Sequence, residues 1–170
     1  MQGIDIEQAW PTFGHYALKL LMDKGHIHYI VSTNVDGLHR RSGITAAQMA
    51  ELHGNCYREI CDTCGAEYLR GYDVTKTSKN WRNHLTGRKC MQMGCGGNLK
   101  DTIIHFGENL PENELEESIK QSEKADVVLV LGTSMRVAPA CKLPLMSVAN
   151  GGKMIIVNLQ TTPYDKKCAK

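Results

Sequence analysis

The sequence predicts an α/β fold built on a parallel sheet and interrupted by one small lobe of a different kind. Three observations carry this reading. Apolar runs recur at His26 to Val31, Val127 to Leu131 and Met154 to Val157, and each ends in small or polar residues. A segment of helical character precedes each run. Residues 61 to 100 abandon the pattern for cysteines, glycines and polar side chains.

The first helix is expected over PTFGHYALKLLMDKG, where Phe13, Tyr16, Ala17, Leu20 and Leu21 fall at helical spacing between Pro11 and Gly25. It leads into the β-branched and aromatic run ending at Val31, a buried strand that stops at Ser32-Thr33-Asn34. The helix-like ENELEESIKQSEKAD leads in the same way into Val127 to Leu131 and then Gly132-Thr133-Ser134. A further helical segment precedes Met154 to Val157 and Asn158. Near-continuous apolar strands separated by helices indicate parallel strands covered on both faces, because a parallel pair needs a crossover connection. Ligands of such sheets bind beyond the carboxyl ends of the strands. Each polar end taken alone also reads as a plain turn; three coincident ends favour a site.

At 170 residues the chain has room for one core and a small metal-stapled lobe. With 42% hydrophobic and 22% charged residues, an ordinary folded domain is expected. A formal charge of +2 is too small for a nucleic-acid or membrane footprint by itself, and the Lys166-Lys167-Cys168-Ala169-Lys170 tail reads as solvated. No apolar run approaches the roughly 20 residues that span a bilayer, and MQGIDIEQAW carries no signal-peptide pattern, so no membrane partner is expected and the chain reads as intracellular.

Cys61-x-x-Cys64 and Cys90-x-x-x-x-Cys95 form two knuckles that supply four thiolates, the donor set of a structural zinc site. Dithiol redox chemistry and unliganded packing are the alternatives. Four thiolates close the metal to water and substrate, so one Zn2+ would hold the lobe together rather than perform chemistry. Neither His53 nor His84 is then needed as a ligand, and His84 is expected at the surface. Gly94-Cys95-Gly96-Gly97 lies inside the second knuckle and is no dinucleotide fingerprint. Cys56, Cys141 and Cys168 are left as packing residues or free thiols. Lys76, Lys79, Arg82, Arg88 and Lys89 with Trp81 and Tyr72 raise a zinc-ribbon nucleic-acid reading, which Asp62, Glu67 and Asp73 dilute.

Asn34-Val35-Asp36-Gly37-Leu38-His39 with Arg41-Ser42-Gly43, Glu51-Leu52-His53-Gly54-Asn55, the four cysteines, Phe106-Gly107-Glu108, Gly132-Thr133-Ser134 and Ile156-Val157-Asn158 together resemble the sirtuins in order and spacing. Asp73-Val74-Thr75, Thr86-Gly87-Arg88, the run from Asp101 to Glu108, and Val157-Asn158-Leu159-Gln160 look most like the branch of sirtuin 6 and sirtuin 7, with sirtuin 7 nearest. The resemblance implies an incomplete Rossmann-type sheet carrying NAD over residues 1 to 60 and 101 to 170, with a zinc lobe inserted at 61 to 100. It implies an acylated-lysine protein substrate, a histone among the candidates, and a nuclear location. The acyl oxygen displaces nicotinamide in this chemistry, and the acyl group leaves on ADP-ribose; mono-ADP-ribosyl transfer is the branch's other chemistry.

Residue by residue, the resemblance makes His53 the general base toward a ribose hydroxyl, a role that suits an imidazole with its ordinary pKa of about 6.5. It makes Asn34 and Asp36 the holders of the nicotinamide amide, with Thr33 beside them. Gly132, Thr133 and Ser134 would face the cofactor's ribose and phosphate, and Asn158 and Gln160 its adenosine end. Phe106, Gly107 and Glu108 would belong to a strand that pairs with substrate backbone, and Val137 would line the acyl-lysine tunnel.

Three departures accompany the match. The family's Gly-Ala-Gly-x-Ser segment and the Pro-Asp-Phe-Arg after it have no counterpart, and the elements beyond Asn158 are mostly absent. A truncated form with unpaired sheet edges is expected, for which activity alone is not implied. Thr33 stands where the family has glutamine, and its shorter hydroxyl cannot make the same contact. The alternatives to an enzyme are a catalytically silent, zinc-stabilised binding module for protein or chromatin, and a zinc-ribbon nucleic-acid binder.

Overall fold

The computed structural model describes residues 6–78 and 81–169, arranged as two compact units, Met1–Leu110 and Pro111–Lys170. Lys79, one of the lobe's predicted basic residues, lies outside the described residues.

In the first unit the helix α1 spans Phe13–Asp23. Its end is a Schellman closure: Gly25, at φ 74°, donates its amide to the Met22 carbonyl and His26 donates to the Leu21 carbonyl. That closure occupies the His26 amide, so the first strand, β1, begins only at Ile30 and runs Ile30–Ser32. The strand β2, Met49–Glu51, pairs with it in parallel, with Ile30 opposite Met49 and Ser32 opposite Glu51. Met22, Ile44 and Met49 form the core here, with Ile27 and Ile30 packed against it. The expected apolar stripe of α1 does not face this core. Phe13, Tyr16, Leu20 and Leu21 are exposed, while the side carrying His15, Leu18 and Met22 turns inward. The His15 ring lies 4.8 Å from that of His39, on the short helix α2, Leu38–Arg41.

The strands β3 (Arg58–Cys61), β4 (Glu67–Leu69), β5 (Leu85–Lys89) and β6 (Asn98–Asp101) make an antiparallel sheet of order β4-β3-β6-β5. Its interior contains a charge. The fully buried Glu59 accepts hydrogen bonds from Arg70 Nε at 2.7 Å, Arg88 Nε at 2.6 Å and the Thr86 hydroxyl. Burial alone would raise its pKa, and those three donors outweigh it and hold the carboxyl below its ordinary value. Val74 and Leu99 pack fully buried in the same unit.

The second unit alternates as the sequence predicts: α3 (Glu112–Lys124), β7 (Val127–Leu131), α4 (Leu143–Ala149) and β8 (Lys153–Val157). The strands are parallel over five residue pairs, from Val127 opposite Lys153 to Leu131 opposite Val157. Val130, Met135, Cys141 and Met154 form its core. The expected cover on both faces is present on one: Val127, Leu129, Leu131, Ile155 and Val157, which alternate with the core residues, are 45–57% exposed.

Candidate active site and metal centre

His53 follows directly on the carboxyl end of β2, and Thr33, Asn34 and Asp36 follow that of β1. Parallel pairing makes both segments leave the same edge, and they touch: Cys56 donates its amide to the Val35 carbonyl at 2.9 Å. His53 is half-buried and Asn34 exposed. Asp36 Oδ1 accepts the Leu38 amide at 2.9 Å, which fixes the carboxylate at the start of α2. The Asn34 amide donates to Ser32 Oγ.

A buried frame behind His53 sets its position. Gly54, at φ 83°, passes so close to the 102–104 segment that a Cβ would overlap the Thr102 carbonyl oxygen. Ile104 donates its amide to the His53 carbonyl at 3.1 Å. Asn55, fully buried, donates Nδ2 to Glu51 Oε1 at 2.6 Å, receives the Tyr57 amide at Oδ1, and gives its own amide to Thr102 Oγ1. Glu51, Asn55 and Thr102 are site residues that the sequence reading did not single out. Glu51 and Asn55 flank His53 in the motif itself, whereas nothing local marks Thr102, which lies 47 residues from Asn55.

In the second unit Gly132, Thr133 and Ser134 follow β7 and Asn158 follows β8, again at the carboxyl ends of a parallel pair. Gly132, at φ 59°, donates its amide to the Val157 carbonyl. Thr133 Oγ1 accepts the Met135 amide at 3.3 Å. Asn158 Nδ2 donates to the Gln160 carbonyl, and both residues line a depression of about 320 Å³ with Ile156, Leu159, Thr161, Asp165 and Cys168. That volume falls at the small end of small-molecule sites, roughly 300–1,000 Å³. Amide and carboxylate groups at parallel strand ends fit a nucleotide ribose, so the residues present suit NAD. Val137 is 43% exposed in this unit.

Phe106, Gly107 and Glu108 belong to the first unit and form a turn, closed by the Glu108 amide on the His105 carbonyl, instead of the expected strand. Gly107 takes φ 95° and the Phe106 side chain stands 98% exposed. Glu108 is drawn to the lobe: its Oε1 lies 3.0 Å from His84 Nε2, and Oε2 accepts the His105 amide at 2.7 Å. His84 is therefore not the plain surface residue expected. Its Nδ1 lies 2.9 Å from Asp101 Oδ1, and its side chain is 19% exposed.

The four knuckle cysteines converge as predicted, with one sulfur from each within 4.8 Å of all the others. Cys61 and Cys95 are 3.6 Å apart at sulfur, as are Cys64 and Cys90. Disulfides need about 2.05 Å, whereas sulfurs about 2.3 Å from a tetrahedral zinc lie roughly 3.8 Å apart. The donors around two of the sulfurs suit thiolates. Cys61 Sγ accepts the Thr63 and Cys64 amides, Cys90 Sγ accepts the Gln92 amide, and the Tyr68 hydroxyl lies 3.1 Å from Cys90 Sγ. The Cys64 amide foremost brings the Cys61 thiol down to about 6. Gly97 is required beside it, because a Cβ there would sit 2.6 Å from Cys61 Sγ. The residues therefore fit one structural Zn2+.

Cys56 and Cys141 are buried free thiols, and burial foremost pushes the Cys56 thiol up to about 11. Three of the lobe's cations have partners: Arg88 pairs with the buried Glu59, while Lys76 pairs with Glu7 at 3.1 Å and Arg82 lies over the Trp81 ring, both at the surface. Among the described residues no helix is long and apolar enough to cross a membrane.

These features have counterparts in known proteins. Residues 1–139 match the family model described as Sir2 family. The NAD-dependent protein deacetylase SRT1 of Arabidopsis thaliana is 45% identical over 164 residues, which cover 96% of this chain and 34% of that protein. The NAD-dependent protein deacetylase sirtuin-7 of Bos taurus is 41% identical over 170 residues, covering 95% and 42%. The chain thus spans about a third to two fifths of the length of these relatives. Among solved structures, Sir2Tm bound to a propionylated peptide superposes with a TM-score of 0.76 at 37% identity, covering 99% of this chain and 68% of that one. A Sir2 complex with a p53 peptide and NAD+ gives 0.75 at 37%, covering 96% and 65%. The four-cysteine lobe, the His-Gly-Asn turn at a parallel strand end and a family match over most of its length establish that the chain belongs to the Sir2 family.

Proposed function

We propose that the chain carries the NAD-dependent protein-lysine deacylase site of its family, with His53 as general base. The observation that carries this reading is the placement of His53 and Asn34 on one edge of a parallel strand pair, their loops bound to each other and His53 backed by the Glu51–Asn55–Thr102 frame. NAD, when bound, supplies the ribose that accepts the acyl group. His53 takes the proton from a ribose hydroxyl through a ring nitrogen, and the Ile104 bond to its carbonyl holds its backbone in place. Asn34 offers both a donor and an acceptor to a carboxamide, and Asp36, with Oδ1 already bound to Leu38, offers its remaining oxygen as an acceptor. Asn158 and Gln160 bind the adenosine ribose, and Gly132 lets phosphate approach the backbone of its turn. Phe106 and Gly107 of the first unit contact the acyl-lysine peptide.

The complexes of relatives with propionylated and acetylated peptides support an acyl-lysine substrate. A histone substrate and a nuclear location rest on the likeness to sirtuin-7 and Sirt6. Nicotinamide release from NAD and an acetyl-lysine peptide tests the reading. His53→Ala should lower turnover by about two to four orders of magnitude, the range of a lost general base. A variant as active as the parent chain would remove His53 from the mechanism.

A further inference from the structure

We infer that the chain holds a second divalent-metal site, separate from the four cysteines, formed by His84 Nε2, a ring nitrogen of His105 and a carboxylate oxygen of Glu108. One ligand atom from each of the three lies within 4.8 Å of the others. In a tetrahedral zinc site with bonds of about 2.0–2.1 Å, ligand atoms stand roughly 3.3 Å apart. The 3.0 Å between His84 Nε2 and Glu108 Oε1 is already close to that edge. Closing the third side requires a modest shift of the half-buried His105 and the exposed Glu108, which bound the 105–108 turn.

The arrangement around His84 is that of an oriented metal ligand. Asp101, 8% exposed, lies 2.9 Å from Nδ1 and is itself fixed by the Ile103 amide at 3.0 Å. A carboxylate can only accept, so each ring nitrogen of His84 carries a proton toward its carboxylate when no metal is bound, and a metal ion would take the place of the proton on Nε2. A lone pair and a carboxylate at that distance repel unless a proton or a metal ion stands between them. A second imidazole, stacked on His84 with a ring nitrogen within 4.8 Å of the other two ligand atoms, adds a donor that a proton bridge does not need and a metal does. Carboxylate, histidine and metal in line is the common way of fixing a ligand's tautomer.

The backbone is committed to this placement. His84 takes φ 58°, a left-handed conformation that a non-glycine residue adopts at a cost, and its carbonyl accepts the Asp101 amide at 2.8 Å, which pins it to the end of β6. The His105 ring packs on His84 at 5.2 Å and against the edge of Trp81 at 4.8 Å, which leaves it a shallow cage on one side. Two imidazoles and one carboxylate suit Zn2+ and similar borderline cations, and three protein ligands leave a coordination position open to solvent or to an external donor. The site joins the start of β5 to the 105–108 turn, so its occupancy would tie that turn to the zinc lobe. The inference does not depend on the deacylase reading.

The full chain, purified with zinc in its four-cysteine site, is titrated calorimetrically with Zn2+ alone, and metal content is counted after desalting. The parent chain should take up a second equivalent. His105→Ala and Glu108→Gln should each weaken that uptake by about tenfold or more while keeping the first zinc and its four alkylation-protected thiols. If either variant loses the first zinc, the other serves as the readout. A parent chain that stops at one equivalent would overturn the inference, and so would a second equivalent that both variants bind undiminished.

Discussion

At Gly54 the chain turns at φ 83° directly under the Thr102 carbonyl, and this close approach presents the neighbouring His53. Any side chain there must both adopt the left-handed conformation and push the 102–104 segment away. Gly54→Ala should cost about 2–4 kcal/mol, from the sum of strain and overpacking, seen as a lower urea midpoint. A second residue-scale consequence concerns acid. Glu59 has its pKa lowered from an ordinary 4.5, so its contribution to stability is fully present above that value and is lost as pH falls through the lower folded value. Glu59→Gln, which leaves Arg70 and Arg88 facing a neutral group, should destabilise the lobe by about 3–5 kcal/mol at neutral pH and flatten the acid limb below pH 4 or so. Urea titrations of both chains across pH 3–7 or thereabouts measure the difference. At this scale the sequence was legible where chemistry is local. The four cysteines and the His-Gly-Asn motif announce themselves by spacing. Thr102 behind Asn55, and Asp101 and Glu108 on either side of His84, come from contacts 17 to 47 residues apart, which spacing cannot reveal.

Among elements, the strands and helices of the second unit fall where apolar runs and helical periodicity place them, because each is short, regular and bounded by turn residues. The first unit departs in two places. The Schellman closure after α1 takes the His26 amide and delays β1 to Ile30. The apolar stripe of α1 was legible as a stripe, but periodicity does not say which side meets the core, and Met22 rather than Phe13 or Leu20 is buried. The lobe's sheet is held at one end by Cys61 on β3, Cys64 in the β3–β4 turn, and Cys90 and Cys95 in the segment between β5 and β6, so its integrity should follow the metal. Chelation of the four-cysteine zinc, or Cys64→Ser, should expose the 58–101 region to protease and abolish the protection of its amides from exchange, with α3 and α4 retained. Unchanged protection in a zinc-free chain would mean that hydrogen bonds and the Glu59 network suffice without metal.

On the scale of the whole molecule, the sequence conveyed the class of protein more readily than the arrangement of its site. Motif order and spacing pointed to the sirtuins, and the Sir2 family match over residues 1–139 agrees. The resemblance assigned a strand to Phe106 and Gly107, whereas the structure has a turn drawn toward His84 by Glu108. A basic nucleic-acid face was one reading of the lobe; within it Arg88 binds a buried carboxylate and Lys76 pairs with Glu7 at the surface. What remains is a nucleotide-binding proposal with definite residues attached. The direct test is calorimetric titration of the 170-residue chain with NAD. Saturable binding that Asn158→Ala weakens several-fold is expected; no heat of binding up to millimolar NAD would contradict a working cofactor site in this chain, while leaving its family membership intact.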